Sequence, residues 1–491
     1  MRLRELLDRV EAVAVRADGE TAVTSVTSDS REVVSGSVFV AVPGLMVDGA
    51  AFIGQALERG AAVVVSQAPQ PREIPAVQVR DARLALATLA SNFHGRPAEK
   101  LRLIGVTGTS GKTTTTRMVE AIFDATGSPV GLIGTIEYRA GGVREIADRT
   151  TPDAVVLQRW FARMVAEGVE FAVMEVSSHA LALRRTHGVP FAAAVFTNLS
   201  RDHFDFHRDF DDYFAAKKML FDQIDRSTRT AVVNGDDEYG VRLAAELGSA
   251  AMTFGRDAEH AIHPDEGFEV SILGLHGTLA TPAGPVRVDS PLLGWPNLSN
   301  WMAAVGAAIA VGIANDAIER GIRSLASVRG RFEKVDAGED RAILIDYAHK
   351  PDALDKLLRA VRELAPGRRI VLVFGCGGDR DAGKRPLMGE IAARSADTTI
   401  ITSDNPRSED PLVIARQIED GYHAAGRDDC IVVIDRREAI ERAVAMAGHD
   451  TAVVIAGKGH ETYQVIGDQI VHFDDREEVG FALRALEKSA S

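Results

Sequence analysis

The sequence predicts an α/β protein with three domains, of which the last two contain mostly parallel sheets. Short apolar runs of strand length alternate with segments of helical spacing, which is typical of such sheets. This alternation occurs in two series, separated by a glycine-rich stretch of alternating polarity at residues 254–290. A length of 491 residues suits three domains of roughly 100–200 residues each.

The N-terminal domain is predicted to be a small α/β unit covering residues 1–99. Apolar runs at 38–42 and 61–66 predict strands, and helical spacing at 50–59 predicts a helix between them. The segment NFHGRPAEK, residues 92–100, is polar and contains glycine and proline. We therefore expect it to link this domain to the next.

The central domain, residues 100–328, begins with a strand pattern, a glycine-rich turn and a helical segment at 113–125. The C-terminal domain, residues 329–491, repeats the alternation and is expected to be Rossmann-like. Central strands are predicted at 101–107, 130–134, 171–176, 193–197 and 230–234, followed by antiparallel strands within 254–290 and a helix at 297–311. C-terminal strands are predicted at 342–347, 369–374, 398–402, 430–434 and 451–456.

Charge and cysteine content limit the kinds of partner. Acidic residues outnumber basic ones by 70 to 56, giving a net charge of −14, so general nucleic-acid binding is not expected. A phosphate-bearing small molecule needs only local cations and backbone N–H donors, and stays compatible with this charge. The two cysteines, Cys376 and Cys430, form no CxxC pair and are expected to be reduced thiols.

The N-terminal residues MRLRELL lack the apolar core of a signal peptide. No stretch approaches the roughly 20 apolar residues of a membrane span. These features predict a cytoplasmic protein.

The strongest local signal is a glycine-rich turn between a predicted strand and a predicted helix. Successive backbone N–H groups and the helix N-terminus bind phosphate oxygens in such a turn, a P-loop. Its lysine would neutralise the β- and γ-phosphates of a nucleotide, and the next threonine would hold Mg²⁺. The usual spacing GxxxxGK[ST] is altered, because position 106 is valine. The turn comprises Gly108, Thr109, Ser110, Gly111, Lys112, Thr113 and Thr114.

Two further candidates follow strands of the same predicted sheet. Glu175 ends a strand and, beside a P-loop, is well placed to reach a metal ion, although alone it would more often be a solvated strand end. His203 follows the next strand and can face the same crevice, yet a lone histidine is usually a surface or capping residue. Lys217 lies in a helical run, where spacing alone indicates a solvated face.

The motifs TGTSGKTT, EVSSHAL, FTNLSRDHFDFH and AAKKMLF occur in that order in the central domain. TSDSR precedes them, and GRFE, DYAHKPDAL, FGCGGDRDAGKRPLM, SDNPRSEDP and GKGHE follow. This order resembles the Mur ligases, which join amino acids to UDP-N-acetylmuramic acid in peptidoglycan synthesis. TSDSR, DNPR and GKGHE resemble members that add the third residue, meso-diaminopimelate or L-lysine, to the UDP-linked L-Ala-D-Glu precursor.

The resemblance implies a P-loop ATPase-like central domain and a role for each matching position. Catalysis would involve Lys112, Glu175, His203 and Lys217, and the metal ligands would be Thr113, Glu175, His203 and, as a carbamate, Lys217. Besides the P-loop, ATP would contact Asn300, Arg331 and Asp346. The UDP-precursor would contact Ser28, Ser30, Leu45, Met46, Val47, Thr150, Thr151, Ser177 and Arg185. The incoming amino acid would contact Arg380, Asp404, Asn405, Pro406, Arg407, Gly457 and Glu461. A monomer is expected.

Three places depart from the family pattern. Leu183 stands where glutamine is common, Trp295 and Pro296 where Arg-Phe is frequent, and Lys350 where threonine is usual. They bear on one substrate contact and on the adenine or hinge contacts, and none belongs to the expected metal ligands.

The implied chemistry requires activation of a carboxylate, because oxide is a poor leaving group. Transfer of the γ-phosphoryl group of ATP to the D-glutamyl carboxylate gives an acyl phosphate, which an amine can attack. Both reactants are anions, so Lys112 and two Mg²⁺ ions would offset their repulsion. Domain closure would exclude the water that hydrolyses acyl phosphates.

The DNPR motif favours meso-diaminopimelate over L-lysine, which lacks one carboxylate. Arg407 can form a bidentate pair with that carboxylate, and Asp404 or Glu461 can take an ammonium group. In the family, DNPR marks diaminopimelate-adding members. The alternative is that Arg407 caps the following turn or pairs with Glu409.

Three other functions are weighed against this one. A regulatory GTPase would leave Glu175, His203 and the second α/β domain unexplained, and no NKxD motif is found. A folylpolyglutamate synthetase-like ligase shares the two ATP-binding domains but not the N-terminal domain with TSDSR. A non-catalytic nucleotide-binding scaffold would show no ATP turnover with the UDP-dipeptide.

Overall fold

The computed structural model describes residues 1–44, 47–225, 230–338 and 341–490. The chain divides into two compact units, Met1–Ile262 with Ala303–Gly321 and His263–Met302 with Ile322–Ser491. The fold is mixed α/β with mostly parallel sheets, as the sequence predicts. The boundaries expected at 99/100 and 328/329 stay predictions.

The first unit begins with a sheet whose strand order is β1-β5-β4-β3-β2, with only β1 antiparallel to its neighbour. Val38, Val40 and Val63 pack on one face of this sheet, while Phe39 and Val64 pack on the other. Because both faces are covered, its central strands are continuous apolar runs. Its elements are α1 (Leu3–Leu6), β1 (Ala12–Val15), β2 (Ser25–Thr27), β3 (Ser37–Val40), α2 (Ile53–Glu58), β4 (Ala61–Ser66), β5 (Ala76–Val79) and α3 (Ala82–Phe93).

A second sheet of the first unit has the order β13-β12-β11-β6-β10-β7-β8-β9 and is parallel from β13 to β7. Because β6 lies between β10 and β11, the loops that follow these three strands start at one edge of the sheet. The elements are β6 (Arg102–Thr107), α4 (Lys112–Asp124), β7 (Val130–Ile133), β8 (Glu137–Ala140), β9 (Val143–Ile146), α5 (Ala154–Ala166), β10 (Phe171–Glu175), α6 (Ser178–Ala182), β11 (Phe191–Phe196), α7 (Phe210–Lys218), β12 (Ala231–Asn234), α8 (Glu238–Leu247) and β13 (Ala251–Phe254).

Antiparallel strands and two helices follow along the chain. They are β14 (His263–Pro264), β15 (Glu269–Ser271), β16 (Gly274–Ala280), β17 (Val286–Ser290), α9 (Gly294–Ala310) and α10 (Asn315–Ser324). Strand β16 pairs with the other three strands, which confirms the antiparallel character predicted for residues 254–290.

The second unit contains a sheet of order β18-β19-β23-β20-β21-β22, parallel except for β18. Helices cover both of its faces, as expected for a doubly wound domain. Its elements are β18 (Glu333–Val335), β19 (Ala342–Asp346), α11 (Pro351–Leu364), β20 (Arg369–Phe374), α12 (Lys384–Ser395), β21 (Thr398–Ile401), α13 (Pro411–Ala424), β22 (Ile431–Val432), α14 (Arg436–Ala445), β23 (Thr451–Ala456), β24 (Tyr463–Ile466), β25 (Gln469–His472) and α15 (Asp475–Ala490).

Most predicted elements are confirmed, and two differ. The segment at 92–100 is more ordered than a plain linker, since it includes the end of α3 and the 3₁₀ turn Pro97–Lys100. The Asn92 side chain is buried and donates to the carbonyl oxygens of Leu6 and Asp8 at 2.9 and 2.6 Å. The strand predicted at 430–434 is reduced to Ile431–Val432 at the sheet edge. Among the helices of the described residues, none is long and apolar enough to cross a membrane.

We expect Gly389→Ala to destabilise the protein by about 1–3 kcal/mol, because overpacking forces the backbone to shift. A Cβ at Gly389 of α12 would lie 1.9 Å from the carbonyl oxygen of Ile418 in α13. Gly54→Ala is the control, since nothing lies within 4 Å of its added Cβ. Urea unfolding measures the free energy of unfolding of both variants. A Gly389→Ala protein as stable as wild type would contradict the close packing of α12 against α13.

Candidate active site

The glycine-rich turn connects β6 to α4 and is built around backbone conformations that favour glycine. Gly108 has φ +144°, and a Cβ there would lie 1.9 Å from Thr197 Oγ1. Gly111 has φ +85° at the N-cap of α4. The turn is therefore compact, and the N-terminus of a thirteen-residue helix follows it directly.

Asn198, which follows β11, holds this turn in place. Its carbonyl oxygen accepts from Thr109 N at 2.8 Å, and its side-chain oxygen accepts from Ser110 N at 3.0 Å. Lys112 Nζ donates to the carbonyl oxygens of Gly108 and Thr109 at 2.8 and 2.9 Å. The lysine ammonium thus lies against the turn, where a phosphate-binding cation is expected.

Glu175, at the end of β10, is buried beside the turn. Its Oε2 accepts from the hydroxyls of Thr113 at 2.9 Å and Thr135 at 3.0 Å, and its Oε1 accepts from Thr135 N at 2.7 Å. Carboxylate and hydroxyl oxygens are the ligands that Mg²⁺ prefers. The structure therefore brings together two of the expected metal ligands, Thr113 and Glu175, and their donor atoms fit this ion.

Lys217 is buried, not solvated as its helical spacing alone indicated. Its Nζ donates to Gly108 O at 2.8 Å and lies 4.4 Å from the ring centroid of Tyr213. The hydroxyl of Tyr213 lies 3.2 Å from Thr109 Oγ1. Lys217 is thus next to the glycine-rich turn, although an ammonium group there could not ligate a cation.

His203 adopts a left-handed conformation with φ +56°. Its Nε2 lies 3.3 Å from Asp202 Oδ2, and its ring is 4.7 Å from that of His179 and 6.2 Å from that of Tyr213. Burial lowers the pKa of His179. The structure places His203 near Tyr213, the residue that also contacts Lys217.

The residues expected to hold the peptide end of the precursor lie next to Glu175. Thr151 Oγ1 donates to Glu175 O at 2.8 Å and accepts from Ser177 N at 3.1 Å. Arg185 Nη1 donates to Thr151 O at 2.8 Å, and Thr150 Oγ1 lies 3.1 Å from Thr135 Oγ1. This group therefore shares its hydrogen bonds with the candidate metal ligands.

The expected uridine contacts of the N-terminal sheet are less closely grouped. Ser30 Oγ donates to Gln55 Oε1 at 2.6 Å, while Ser28 and Val47 are exposed. Leu45 and Met46 lie outside the described residues. A cavity of about 200 Å³ opens nearby, and its lining includes Thr27 but neither Ser28 nor Ser30.

Of the expected nucleotide contacts in the second unit, Arg331 and Asp346 lie near one another. The Arg331 guanidinium lies 4.7 Å from the centroid of the Tyr347 ring. Asp346 accepts from Phe332 N at 2.7 Å and Ala348 N at 2.8 Å. Burial raises the pKa of Asp346, against the opposing effect of Arg331. Asn300 is half-buried in α9.

The segment 404–407 and the GKGHE motif form one pocket after β21 and β23. Asn405 Nδ2 donates to Glu461 Oε2 at 2.9 Å. Lys458 is fully buried, and its Nζ lies 3.2 Å from Glu461 Oε2, 3.3 Å from Asn405 Oδ1 and 3.6 Å from Asp404 Oδ1. Asp404 Oδ1 is buried without a hydrogen-bond partner. The pocket thus has two carboxylates, one internal cation and an acceptor available to a further donor.

Arg407 lies at the edge of this pocket with φ +53°. Its Nη1 donates to the carbonyl oxygens of Gly378 at 2.8 Å and Asn405 at 3.4 Å. Among the described residues, no carboxylate oxygen lies within 4.0 Å of its guanidinium nitrogens. A cation held by carbonyl oxygens in this way is suited to an anionic ligand.

The pairing of Arg407 with Glu409, considered from the sequence, is not found. Glu409 instead accepts from both terminal nitrogens of Arg385 at 2.8 Å, and Arg385 lowers the pKa of Glu409 to about 2. Arg380 is exposed. A Cβ added at Gly377 would lie 3.9 Å from Arg380 Cγ and 3.0 Å from Arg407 Nη1. Arg380 and Arg407 therefore border the same glycine.

Sequence reasoning missed four residues of these sites: Thr135, Asn198, Tyr213 and Lys458. Lys458 lies inside the GKGHE motif, and that position is the sequence signal that could have identified it. Thr135 carries no comparable local pattern.

The departures from the family pattern lie at element ends. Leu183 is the C-cap of α6, and Trp295 and Pro296 lie in the first turn of α9. Lys350 is the N-cap of α11. Its side chain has no acceptor atom and therefore makes no capping hydrogen bond.

Three family models match the chain: Mur ligase family, catalytic domain at residues 22–94, Mur ligase middle domain at 106–308, and Mur ligase, glutamate ligase domain at 330–459. A UDP-N-acetylmuramoyl-L-alanyl-D-glutamate--2,6-diaminopimelate ligase from Geobacillus thermodenitrificans is 43% identical over 481 residues, 97% of this chain and 98% of the relative.

Solved structures are also similar. That of a UDP-N-acetylmuramoyl-L-alanyl-D-glutamate--2,6-diaminopimelate ligase has a TM-score of 0.72 at 31% identity, and the match covers 99% of both chains. Folylpolyglutamate synthase from Mycobacterium tuberculosis, complexed with ADP and AMPPCP, has a TM-score of 0.60 at 19% identity, covering 76% of this chain and 92% of that one. The second likeness is one of fold alone.

Thr135→Val is expected to weaken Mg²⁺ binding, since it removes the hydroxyl donor to Glu175 Oε2 but keeps the backbone donor to Oε1. Loss of such a supporting bond costs roughly 10–100-fold in metal affinity. The Mg²⁺ concentration for half-maximal nucleotide turnover measures this. Thr126→Val is the control, because Thr126 Oγ1 donates only to Phe123 O at the other end of α4. Equal Mg²⁺ dependence in the two variants would argue against Glu175 as a ligand.

Proposed function

The chain belongs to the Mur ligase family, and on this basis we propose that it is an ATP-dependent ligase that adds meso-diaminopimelate to UDP-N-acetylmuramoyl-L-alanyl-D-glutamate. The 43% identity over 97% of the chain to a ligase of that name supports this activity over folate-type relatives, which share the fold at 19% identity. The product is a precursor of peptidoglycan.

The choice of diaminopimelate depends on one observation, the pairing of opposite charges in the pocket at 404–407. The end of diaminopimelate that does not react carries both an ammonium and a carboxylate group. Asp404, whose buried Oδ1 accepts no hydrogen bond, and Glu461 suit the ammonium, while Arg407 suits the carboxylate. L-Lysine would satisfy the acidic residues but leave Arg407 without an anion.

The reaction then proceeds in two steps. The D-glutamyl carboxylate attacks the γ-phosphorus of ATP, and ADP leaves. The amine of diaminopimelate attacks the resulting acyl phosphate, inorganic phosphate leaves, and an amide forms. Lys112 and the backbone N–H groups of the turn hold the phosphates, while Thr151 and Arg185 orient the precursor. Bound Mg²⁺, held by Thr113, Glu175 and His203, would neutralise charge on the transferring phosphoryl group.

Lys217 is proposed to act as a carbamate. The neutral form of its amine adds to CO₂ with release of a proton. The product is a carboxylate beside the glycine-rich turn, which can bind a second Mg²⁺. The burial of Lys217 and its 2.8 Å contact with Gly108 O support this assignment.

We further propose three domains: residues 1–99 for the UDP-precursor, 100–328 for ATP and 329–491 for the amino acid. Ser28, Ser30, Leu45, Met46 and Val47 would contact uridine, and Asn300, Arg331 and Asp346 the nucleotide. Arg380, Pro406 and Gly457 would complete the amino-acid pocket. Because one chain carries residues for all three substrates, it is proposed to act as a monomer, and in the cytoplasm, where ATP is available.

Lys217→Ala is expected to be nearly inactive, because the carboxylate that binds the second Mg²⁺ is lost. Short-chain carboxylic acids are expected to restore part of the activity. Lys218→Ala is the matched control, since Lys218 is the next residue but is partly exposed and paired with Glu246. NMR with ¹³C-bicarbonate detects the adduct in wild type and in the control. An adduct signal that survives Lys217→Ala would place the carbamate elsewhere.

A competition assay between meso-diaminopimelate and L-lysine tests the proposed function. Wild type should prefer diaminopimelate by roughly 10⁴ or more, as expected for a dry site whose charged group would otherwise be unpaired. Arg407→Ala should lose most of this preference. Phosphate release is measured with the UDP-dipeptide and each amino acid, and Arg416→Ala on α13 is the control. Equal use of lysine by wild type, or an unchanged preference in Arg407→Ala, would disprove the assignment.

A further inference from the structure

Arg436 and Asp475 form an ion pair that is completely buried, with 0% exposure of both side chains. Arg436 begins α14 and Asp475 begins α15. The pair is bidentate, with Nε and Nη2 of Arg436 donating to Oδ1 and Oδ2 of Asp475 at 2.7 Å each. Apolar side chains of similar volume could join two helices equally well, so stability alone does not account for two buried charges.

The other donors of Arg436 reach the strands that lead to the amino-acid pocket. Nη2 donates to Ala456 O at 3.1 Å, and Nη1 to Ser403 O at 3.5 Å. Ala456 directly precedes Gly457, and Ser403 directly precedes Asp404. One guanidinium thus touches both chain segments from which the pocket is built.

These two segments have no direct ladder contact, because β20 lies between β21 and β23. Strand β21 ends at Ile401 and β23 ends at Ala456, and just beyond β23 Gly457 N donates to Asp346 O of β19 at 3.1 Å, not to the segment that carries Asp404. The distance between Asp404 and the GKGHE loop must therefore be fixed by contacts beyond the strands.

The charges of the pocket also act on Arg436. Burial alone would lower the pKa of Arg436, but Asp475 and, at longer range, Asp404 and Glu461 hold it above its usual range. The guanidinium is consequently part of the same charge system as Lys458 and the two pocket carboxylates.

We propose that Arg436, held by Asp475, is a positioning residue that sets the spacing between Asp404 and the GKGHE loop, and thereby the affinity for the incoming amino acid. This inference rests on the proposed function of the pocket. Arg436 is not expected to touch the substrate. It acts through the backbone carbonyls of Ser403 and Ala456.

The test uses the double variant Arg436→Met/Asp475→Leu, which removes both charges together and avoids leaving one of them buried and unpaired. The expected result is a KM for diaminopimelate raised on the order of 10–100-fold, since a displacement of about 1 Å can cost this much. The KM values for ATP and for the UDP-dipeptide should stay near those of wild type.

Arg437→Met/Glu478→Leu is the matched control. Arg437 is the next residue of α14, and it forms a bidentate pair with Glu478 of α15 at 2.8 and 2.9 Å. This pair joins the same two helices, but Arg437 is 59% exposed and no bond links it to Ser403 or Ala456 among the described residues. A role in helix docking alone predicts the same kinetics for both double variants.

Arg436→Lys covers the case in which the first double variant does not fold. A lysine keeps the charge beside Asp475 but cannot bond both carbonyls and the carboxylate, so a rise in KM for diaminopimelate is again expected. A wild-type KM for diaminopimelate in a folded Arg436 variant, or an equal rise of this KM in the Arg437 control, would overturn this inference but not the proposed function. Failure of wild type to release phosphate with diaminopimelate would overturn the proposed function and this inference with it.

Discussion

A buried carboxylate must have its hydrogen bonds satisfied, and Glu175 obtains them from separate parts of the chain. The hydroxyl of Thr113 comes from α4, and the donors of Thr135 come from the turn after β7. The carbonyl oxygen of Glu175 accepts from Thr151. One residue at the end of a central strand thus fixes the glycine-rich turn relative to the segment proposed to hold the precursor.

The pocket proposed to bind the incoming amino acid follows a related rule of charge balance. Asp404 and Glu461 bring two negative charges, and the buried Lys458 offsets one of them. A substrate ammonium would offset the second, and a substrate carboxylate would offset Arg407. A ligand carrying both groups leaves no charge of the pocket unbalanced. Specificity would then result from the charges that the protein leaves open, as much as from shape.

Non-glycine residues in left-handed conformations occur in the loops of both candidate sites. Arg407, at φ +53°, is held by backbone bonds on both sides, from its N to Val465 O and from Gly467 N to its O. These bonds come from the β24–β25 hairpin, which therefore fixes a conformation that an arginine rarely adopts. His203, at φ +56°, lies in a comparable loop after β11. The backbone at Arg407 is therefore held by a segment distant in the chain, whereas the backbone bonds of His203 are local, from Phe206 N and His207 N to its carbonyl oxygen.

Features that depend on residues adjacent in the chain can be predicted from the sequence. The continuous apolar run of β6, the turn at Gly108 and Gly111 and the helix at Lys112 are adjacent in the chain, so their chemistry is visible in order. The strands at 61–66, 369–374 and 451–456 were predicted at the bounds that the structure has, because they are buried on both faces. Motif order likewise indicated the family.

Which polar side chains meet inside the protein depends on how distant elements pack, and this is visible only in the folded structure. Lys217 and Lys218 are chemically identical neighbours, yet one is buried against Gly108 O and the other pairs with Glu246 at the surface. Glu409 pairs with Arg385 and so leaves Arg407 available, while Thr135 reaches Glu175 across 40 positions of the chain. Hydrophobic spacing records which face of an element is covered. It carries no information on which distant donor reaches a given acceptor, since that depends on the packing of whole elements.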